Sequence, residues 1–350
     1  MILVLSLMAV VWGVGVGFGA PRSLRIALVA VLLAAVIALH LALPDGHPLR
    51  QNTGSDARLW FLILGLGFLV WGYGFLLSAL KSRARNPTQP ATTNAPFSDA
   101  ELTRYARHIV LREIGGAGQK ALKDATVLVI GAGGLGAPAL QYLAGAGVGT
   151  IGVIDDDTVD QSNLQRQVIH TDARIGLPKV QSAAQAMTAL NPYVTVKPYQ
   201  RRLTPEIAAD LIADYDLVLD GTDNFDTRYL VNAVCAAAQK PLISAALTQW
   251  EGQMSLFDPH HKTPCYQCVF PERPDPALVP SCAEGGVLGP LPGVLGAMMA
   301  VEAVKAITGA GEGLRGRLLI YDALYAETRI ITIKRRPDCP ICGCDGAKDA

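Results

Sequence analysis

The apolar positions along the chain follow two regimes. Up to residue 80 they run almost unbroken through Met1–Gly19, Leu24–Leu43 and Leu59–Leu80. Each stretch is close to the ~20 residues a helix needs to cross the hydrocarbon core of a bilayer. From Ser98 onward the pattern changes to short apolar runs alternating with helically spaced segments. The runs predict strands at Thr126–Ile130, Thr150–Ile154, Val194–Pro198, Asp216–Asp220, Pro241–Ala245, Gln253–Phe257, Arg317–Tyr321 and Arg329–Lys334. Helices are predicted from the glycine turn after the first strand to about Ala146, and at Lys179–Leu190, Pro205–Ala213, Thr227–Gln239 and Pro292–Thr308. Ser98-Asp-Ala-Glu101 is a further helix-start signal. Strand–helix alternation early and paired strands late predict a Rossmann-like, doubly wound α/β sheet, parallel with some antiparallel members. Pro292–Thr308 is apolar enough to suggest another span, but Glu302, Lys305 and the prolines at its start favour a buried domain helix. Lys81–Pro96, with three prolines and no periodicity, reads as a linker. The expected organisation is a three-helix membrane anchor over 1–80, a linker over 81–96, an α/β domain over 97–345 and a tail over 346–350.

Charge sharpens this division. Thirty basic residues balance thirty acidic ones, and positions 1–80 hold only six charges although 17% of the chain is charged. Nucleic acid is excluded as a main partner, because phosphate binding needs a concentrated basic face. The first apolar stretch lacks a basic lead and is followed directly by a second, so it reads as a span rather than a cleaved signal. Lys81, Arg83 and Arg85 place the end of the third stretch in the cytoplasm. A multi-pass protein of the cell (inner) membrane is expected, with its N-terminus outside and the α/β domain cytoplasmic. The spans carry no acidic residue and one histidine, His40, which suits an anchor better than an ion path.

Candidate chemistry is concentrated in the second half. Cys265-x-x-Cys268 and Cys339-x-x-Cys342 offer four thiolates, the ligand set of one tetrahedral structural zinc. Gly131-Ala-Gly133-Gly134-Leu-Gly136 follows a strand and opens a helix, which lets backbone amides approach a phosphate. Asp155, at the next strand end, can accept from ribose hydroxyls. These features alone suit an NAD-dependent oxidoreductase equally well. Arg166, within Ser162-Asn163-Leu-Gln-Arg166-Gln167, and Lys179 tilt the balance. Hydride transfer has little use for two extra cations, whereas cleavage of a triphosphate builds charge that they can neutralise. Asp223, after the strand ending at Asp220, is either a magnesium ligand or the cap of the helix that follows. Cys235 lies in an apolar helical run and is expected in the core, and Cys344 is expected to be a bystander.

Seven motifs now stand in one order: Arg104-Tyr-Ala-Arg107, the glycine loop, Ser162–Gln167, Gly176-Leu-Pro-Lys179, Gly221-Thr-Asp-Asn224, Pro264-Cys-Tyr-Gln-Cys268 and Cys339-Pro-Ile-Cys342. In this the chain resembles the MoeB/ThiF/HesA adenylyltransferases, relatives of ubiquitin-activating enzymes, over about Ser98–Gly343; the three apolar stretches lie outside the likeness. The resemblance implies ATP-dependent adenylation of the C-terminal glycine of a ubiquitin-like sulfur carrier, with release of pyrophosphate. The small subunit of molybdopterin synthase is the first expectation, and the thiamine-pathway carrier the alternative. It further implies that Arg166 and Lys179 contact phosphates, Asn163 and Gln167 orient them, Asp155 takes the ribose and Asp223 binds Mg2+. Arg107 corresponds to an arginine that reaches a neighbouring subunit's site, which implies a homodimer. Cys282, after the Pro-rich stretch Pro271–Pro280, matches a thiol that accepts the activated carboxylate or handles sulfur in some relatives, while others need only adenylation. Because the chain ends soon after the second cysteine pair, a separate sulfur donor is expected. An inactive membrane scaffold and a non-carrier substrate, such as a peptide C-terminus, are the remaining alternatives.

Overall fold

A computed structural model describes residues 2–44, 46–54, 56–85, 96–274 and 285–343. The chain divides into two compact units, Met1–Thr93 and Asn94–Ala350. In the first, the three apolar stretches are helices α1 (Ile2–Gly17), α2 (Arg22–Ala42) and α4 (Ala57–Arg85), with a short α3 (Pro48–Thr53) between the last two. A small cluster of Val4, Val36 and Trp60 joins them, backed by Met8, Leu32 and Ile63. Most of their remaining apolar side chains face outward, as Phe68 and Leu69 do. By length and apolarity α2 and α4 are candidate spans, and α1 is shorter. Helix α4 continues through Lys81–Arg85, past the Lys81 expected to open the linker and up to two residues before its first proline, Pro87; 86–95 lie outside the described residues.

The second unit opens on α5 (Asp99–Ile109). Ser98 accepts from the Glu101 amide while Glu101 accepts from the Ser98 amide, a reciprocal cap that satisfies two otherwise orphaned donors. Helix α6 (Gly115–Asp124) follows, and its glycine-rich sequence gave no periodic signal. Eight strands then form one sheet: β1 (Thr126–Ile130), β2 (Thr150–Ile154), β3 (Thr195–Tyr199), β4 (Leu217–Asp220), β5 (Leu242–Leu247), β6 (Glu251–Phe257), β7 (Arg317–Asp322) and β8 (Glu327–Thr332). Their order is β3-β2-β1-β4-β5-β6-β7-β8. The first five are parallel, and β6, β7 and β8 are added antiparallel. This is the mixed, Rossmann-like α/β sheet expected from the alternating pattern. Pro198 lies in β3, an edge strand, where a missing N–H is tolerated.

Strand β1 shows how sequence becomes layer. Val127 and Val129 enter one core cluster, with α7 (Gly136–Ala146), α8 (Lys179–Leu190) and α12 (Pro290–Thr308). Leu128 and Ile130 enter the other, with α9 (Pro205–Ala213) and α10 (Phe225–Ala237). A strand buried on both faces needs apolar residues at every position, and each contributes about 1.5–3 kcal/mol on burial. Helix α12 is packed into this core through Leu291, Leu295, Met299 and Ala303, as its charged positions and prolines suggested. Cys235 is buried in the second cluster, in keeping with its core reading. A short helix, α11 (Tyr266–Val269), carries Cys268, with Cys265 at its N-cap.

Candidate nucleotide site and cysteine cluster

Strand order reverses between β1 and β4, and such a reversal opens a crevice beyond the carboxyl ends of the strands. The glycine loop leaves β1 on one side of it, and Gly221–Asn224 leave β4 on the other. The two loops touch. A Cβ on Gly131, whose φ is +92°, would lie 3.2 Å from the Gly221 carbonyl oxygen. At Gly136 a Cβ would lie 1.9 Å from the Gly131 oxygen, so only glycine lets the loop fold under the start of α7.

The predicted residues converge on this loop. Asp155 accepts the Ala132 amide at 2.7 Å and the Asp157 amide at 2.8 Å. Burial nevertheless holds its carboxyl above the ordinary Asp range, with the two amides opposing. Lys179 is buried at the start of α8 and donates to Asp157 at 2.7 Å. Arg166 donates to Asn163 Oδ1 at 2.9 Å, and a Cβ on Gly134 would come within 3.8 Å of the Arg166 stem. Gln167 is buried beside Gly133, and its amide oxygen has no hydrogen-bond partner among the described residues. That oxygen can only accept, so a ligand hydroxyl or amine, and not a phosphate oxygen, would satisfy it. Two cations, a loop of small residues and a half-buried carboxylate thus lie along one end of the sheet, an arrangement suited to a polyphosphate ester.

Asp223 is exposed in the loop after β4. It does not cap α10; Asn224 does, accepting from the Thr227 amide at 2.9 Å. The cap reading of Asp223 is therefore replaced, and its carboxylate is not committed to the helix. Arg107 is exposed on α5, whereas Arg104 and Tyr105 of the same motif serve the fold. Arg104 donates to the Leu190 carbonyl at 2.8 Å, and the Tyr105 hydroxyl accepts from Asn191 at 2.8 Å. Cys282 and Cys344 lie outside the described residues.

Two networks went unnoticed in the sequence. Asp220 is buried against Arg228 at 3.3 Å and Ser244 at 2.8 Å, and it also accepts from the Thr222 amide and hydroxyl. Arg228 in turn donates to the Thr222 carbonyl, which holds the loop that presents Asp223. The i, i+8 spacing of Asp220 and Arg228 across a strand end and a helix was the only available signal. The second network centres on His170, hydrogen-bonded to the Ala132 carbonyl and to Ser182.

The four paired cysteines form a separate buried cluster with all sulfurs within 4.8 Å. Sγ–Sγ distances are 3.6 Å for Cys265–Cys339, 3.3 Å for Cys268–Cys342 and 3.9 Å for Cys265–Cys268. Four sulfurs at about 2.3 Å from one tetrahedral zinc would stand about 3.8 Å apart, so the donor set and spacing fit that ion. Burial pushes Cys265 up and takes Cys268 to about 11. Burial also acts to raise Cys339, but the amides of Cys342 and Ile341 draw it down to about 7. Only with a cation among them would all four be held as thiolates.

The ThiF family profile matches residues 105–341. The sulfur carrier protein adenylyltransferase of Thermus thermophilus is 51% identical over 253 residues, covering 71% of this chain and 93% of that protein. The probable adenylyltransferase/sulfurtransferase MoeZ of Mycobacterium tuberculosis is 53% identical over 247 residues, which cover 70% of this chain but only 63% of MoeZ. Among solved structures, E. coli MccB superposes with a TM-score of 0.59 at 24% identity over 69% of this chain and 75% of MccB, a likeness of fold. With the profile spanning most of the second unit and half of the aligned residues identical to named relatives, this chain belongs to the ThiF family of ubiquitin-activating-enzyme-like adenylyltransferases.

Proposed function

We propose that this chain uses ATP to adenylate the C-terminal glycine carboxylate of a ubiquitin-like sulfur carrier. The small subunit of molybdopterin synthase is the first candidate and the thiamine-pathway carrier the second. The observation that carries the reading is the placing of two cations beside the glycine loop: Arg166, whose stem lies against Gly134, and buried Lys179, held by Asp157 next to the Asp155 that grips the Ala132 amide. A nicotinamide site has no comparable demand for two cations, so the oxidoreductase reading loses ground.

In this reaction a carboxylate oxygen of the carrier bonds to the α-phosphorus, the α–β bridging P–O bond breaks, and pyrophosphate leaves with that oxygen and its charge. The carboxylate is itself the nucleophile, so no serine–histidine pair is required. The chain's task is alignment and neutralisation of charge. Lys179 would exchange Asp157 for phosphate, Arg166 would meet the departing pyrophosphate, and Asn163 and Gln167 would orient the chain of phosphates. Asp155 would accept from ribose. Asp223, exposed and free of capping duty, would hold Mg2+, which supplies further charge neutralisation when bound. Cys265, Cys268, Cys339 and Cys342 would hold a structural zinc. We further propose a homodimer in which Arg107 serves the neighbouring site, and a chemical role for Cys282, either as acceptor of the activated carboxylate or in handling sulfur. Helices α1, α2 and α4 would anchor the chain in the inner membrane with its catalytic domain cytoplasmic, a reading supported by their outward-facing apolar side chains.

ATP–pyrophosphate exchange, measured on the full chain with each purified carrier in turn, tests the proposal. Exchange that depends on one carrier's terminal glycine is the expected result. No exchange with any carrier would sink it and turn attention to another carboxylate substrate or to an inactive scaffold.

A further inference from the structure

His170 has no part in the chemistry set out above, yet it is 6% exposed and lies between the two elements expected to meet the phosphates. Its Nε2 stands 2.9 Å from the Ala132 carbonyl oxygen, and its Nδ1 2.9 Å from Ser182 Oγ. A carbonyl can only accept, so Nε2 carries the proton; the neutral ring then accepts at Nδ1 from the Ser182 hydroxyl. Burial favours this neutral form by lowering the His170 pKa, against the partly opposing Ala132 bond and with help from nearby Lys179 and Arg174.

The partners of this ring make it more than a core histidine. Ala132 lies inside the glycine loop, and its own amide is held by Asp155. Ser182 lies in the first turn of α8, the helix that Lys179 begins, and its carbonyl accepts from Arg174 at 3.1 Å. Lys179 reaches Asp157, whose amide returns to Asp155. Loop, imidazole, helix, lysine and acidic turn therefore close into one ring of hydrogen bonds. In a trans peptide the C=O and the following N–H point in opposite directions. Fixing the Ala132 carbonyl on buried His170 thus aims the Gly133 N–H away from the core, to the open face of the loop. An amide facing that way, near the start of a helix, is an anion donor.

Resting on the adenylation reading, we propose that His170 is a positioning residue of the nucleotide site: it sets the spacing between glycine loop and α8 and turns the Gly133 amide to the ligand face. The test is calorimetric titration of the full chain with ATP, alongside thermal unfolding and the KM and kcat of exchange. His170→Ala leaves the Ala132 carbonyl without its buried donor, a loss that corresponds to about tenfold in affinity. Expected are a Kd and a KM for ATP about tenfold higher in His170→Ala, with kcat within about threefold. His170→Gln, whose amide N–H can reach the same carbonyl, should recover most of the affinity. Ser182→Ala should weaken binding by about threefold, the loss of one neutral bond. A lower melting temperature with wild-type Kd in His170→Ala would mark a purely structural histidine and overturn the inference. If that variant does not fold, wild-type affinity in Ser182→Ala together with a tenfold loss in His170→Gln overturns it equally. A wild-type chain that binds no ATP removes the adenylation reading itself, and the inference with it.

Discussion

Lys179→Met separates charge from packing at the nucleotide site. The lysine side chain is 6% exposed, while its partner Asp157 is 66% exposed. Methionine keeps most of the apolar stem in place and removes only the ammonium. Asp157 then returns to water, so no buried charge is stranded and the stability lost is that of an exposed pair, about 0–1 kcal/mol. Had the partner been buried, the loss would have been about 3–5 kcal/mol. The effect on reaction is of another size. Loss of one preorganised group that stabilises developing charge lowers kcat by about 10²–10³-fold, or roughly 3–4 kcal/mol. The assay is carrier-dependent ATP–pyrophosphate exchange, run beside urea unfolding and zinc content on the same preparation. Exchange should fall by at least a hundredfold while the unfolding midpoint and metal content stay near wild type. Exchange within tenfold of wild type would refute the role of Lys179 at the phosphates.

Asp220→Ala strands the buried Arg228 guanidinium and should lower unfolding stability by about 3–5 kcal/mol, read from urea titration; a change under 1 kcal/mol would show that Arg228 finds another partner. Cys339→Ser should abolish bound zinc, measured by elemental analysis, and lower the melting temperature; retained zinc at one per chain would exclude the four-sulfur site. For Asp155 the raised pKa fixes a sign. As pH falls, this carboxylate takes its proton before an ordinary Asp would, so ATP affinity should begin to fall above the usual Asp range, and Asp155→Asn should flatten that dependence. Folding stability runs the other way. The folded chain binds this proton more readily than the unfolded chain, so the Asp155 charge opposes folding above the folded pKa, and that opposition vanishes below the unfolded value. Calorimetry and unfolding across the same pH series measure both.

The sheet was legible because its strands are buried on both faces. Thr126–Ile130 and Thr150–Ile154 are continuous apolar runs that end in a glycine or an acidic turn, and their bounds agree residue for residue with β1 and β2. Weaker runs shifted: β8 starts two residues before its predicted Arg329 because all six of its residues are exposed and no buried face marks its ends. Helix α6 went unpredicted for a related reason. Three glycines in Gly115-Gly-Ala-Gly118 give its start a poor helix propensity, and the helix is held by burial of Gly118, Gln119 and Leu122 against the rest of the domain rather than by its own sequence. Asp223 and Asn224 exchanged roles because either can cap a helix; which one does depends on backbone angles a string of letters does not carry.

The site shows the same limit from another side. Residues expected to touch ligand announce themselves as unusual types in turns: glycines in series, a lysine opening a helix, an arginine beside Asn and Gln. His170, Asp220, Arg228 and Ser244 do not, because their partners are backbone groups or buried side chains brought close only when β1, β4 and β5 lie side by side. Yet these hidden residues hold the two loops of the crevice. Arg228 grips the Thr222 carbonyl on the β4 side, and His170 grips the Ala132 carbonyl on the β1 side. Each spends a buried donor on the one backbone oxygen that decides which way the next amide faces. A glycine loop left to itself has the conformational freedom to face its amides several ways. If the crevice takes the phosphate chain proposed above, its selectivity would rest on side chains beneath the loops as much as on the charged groups above them.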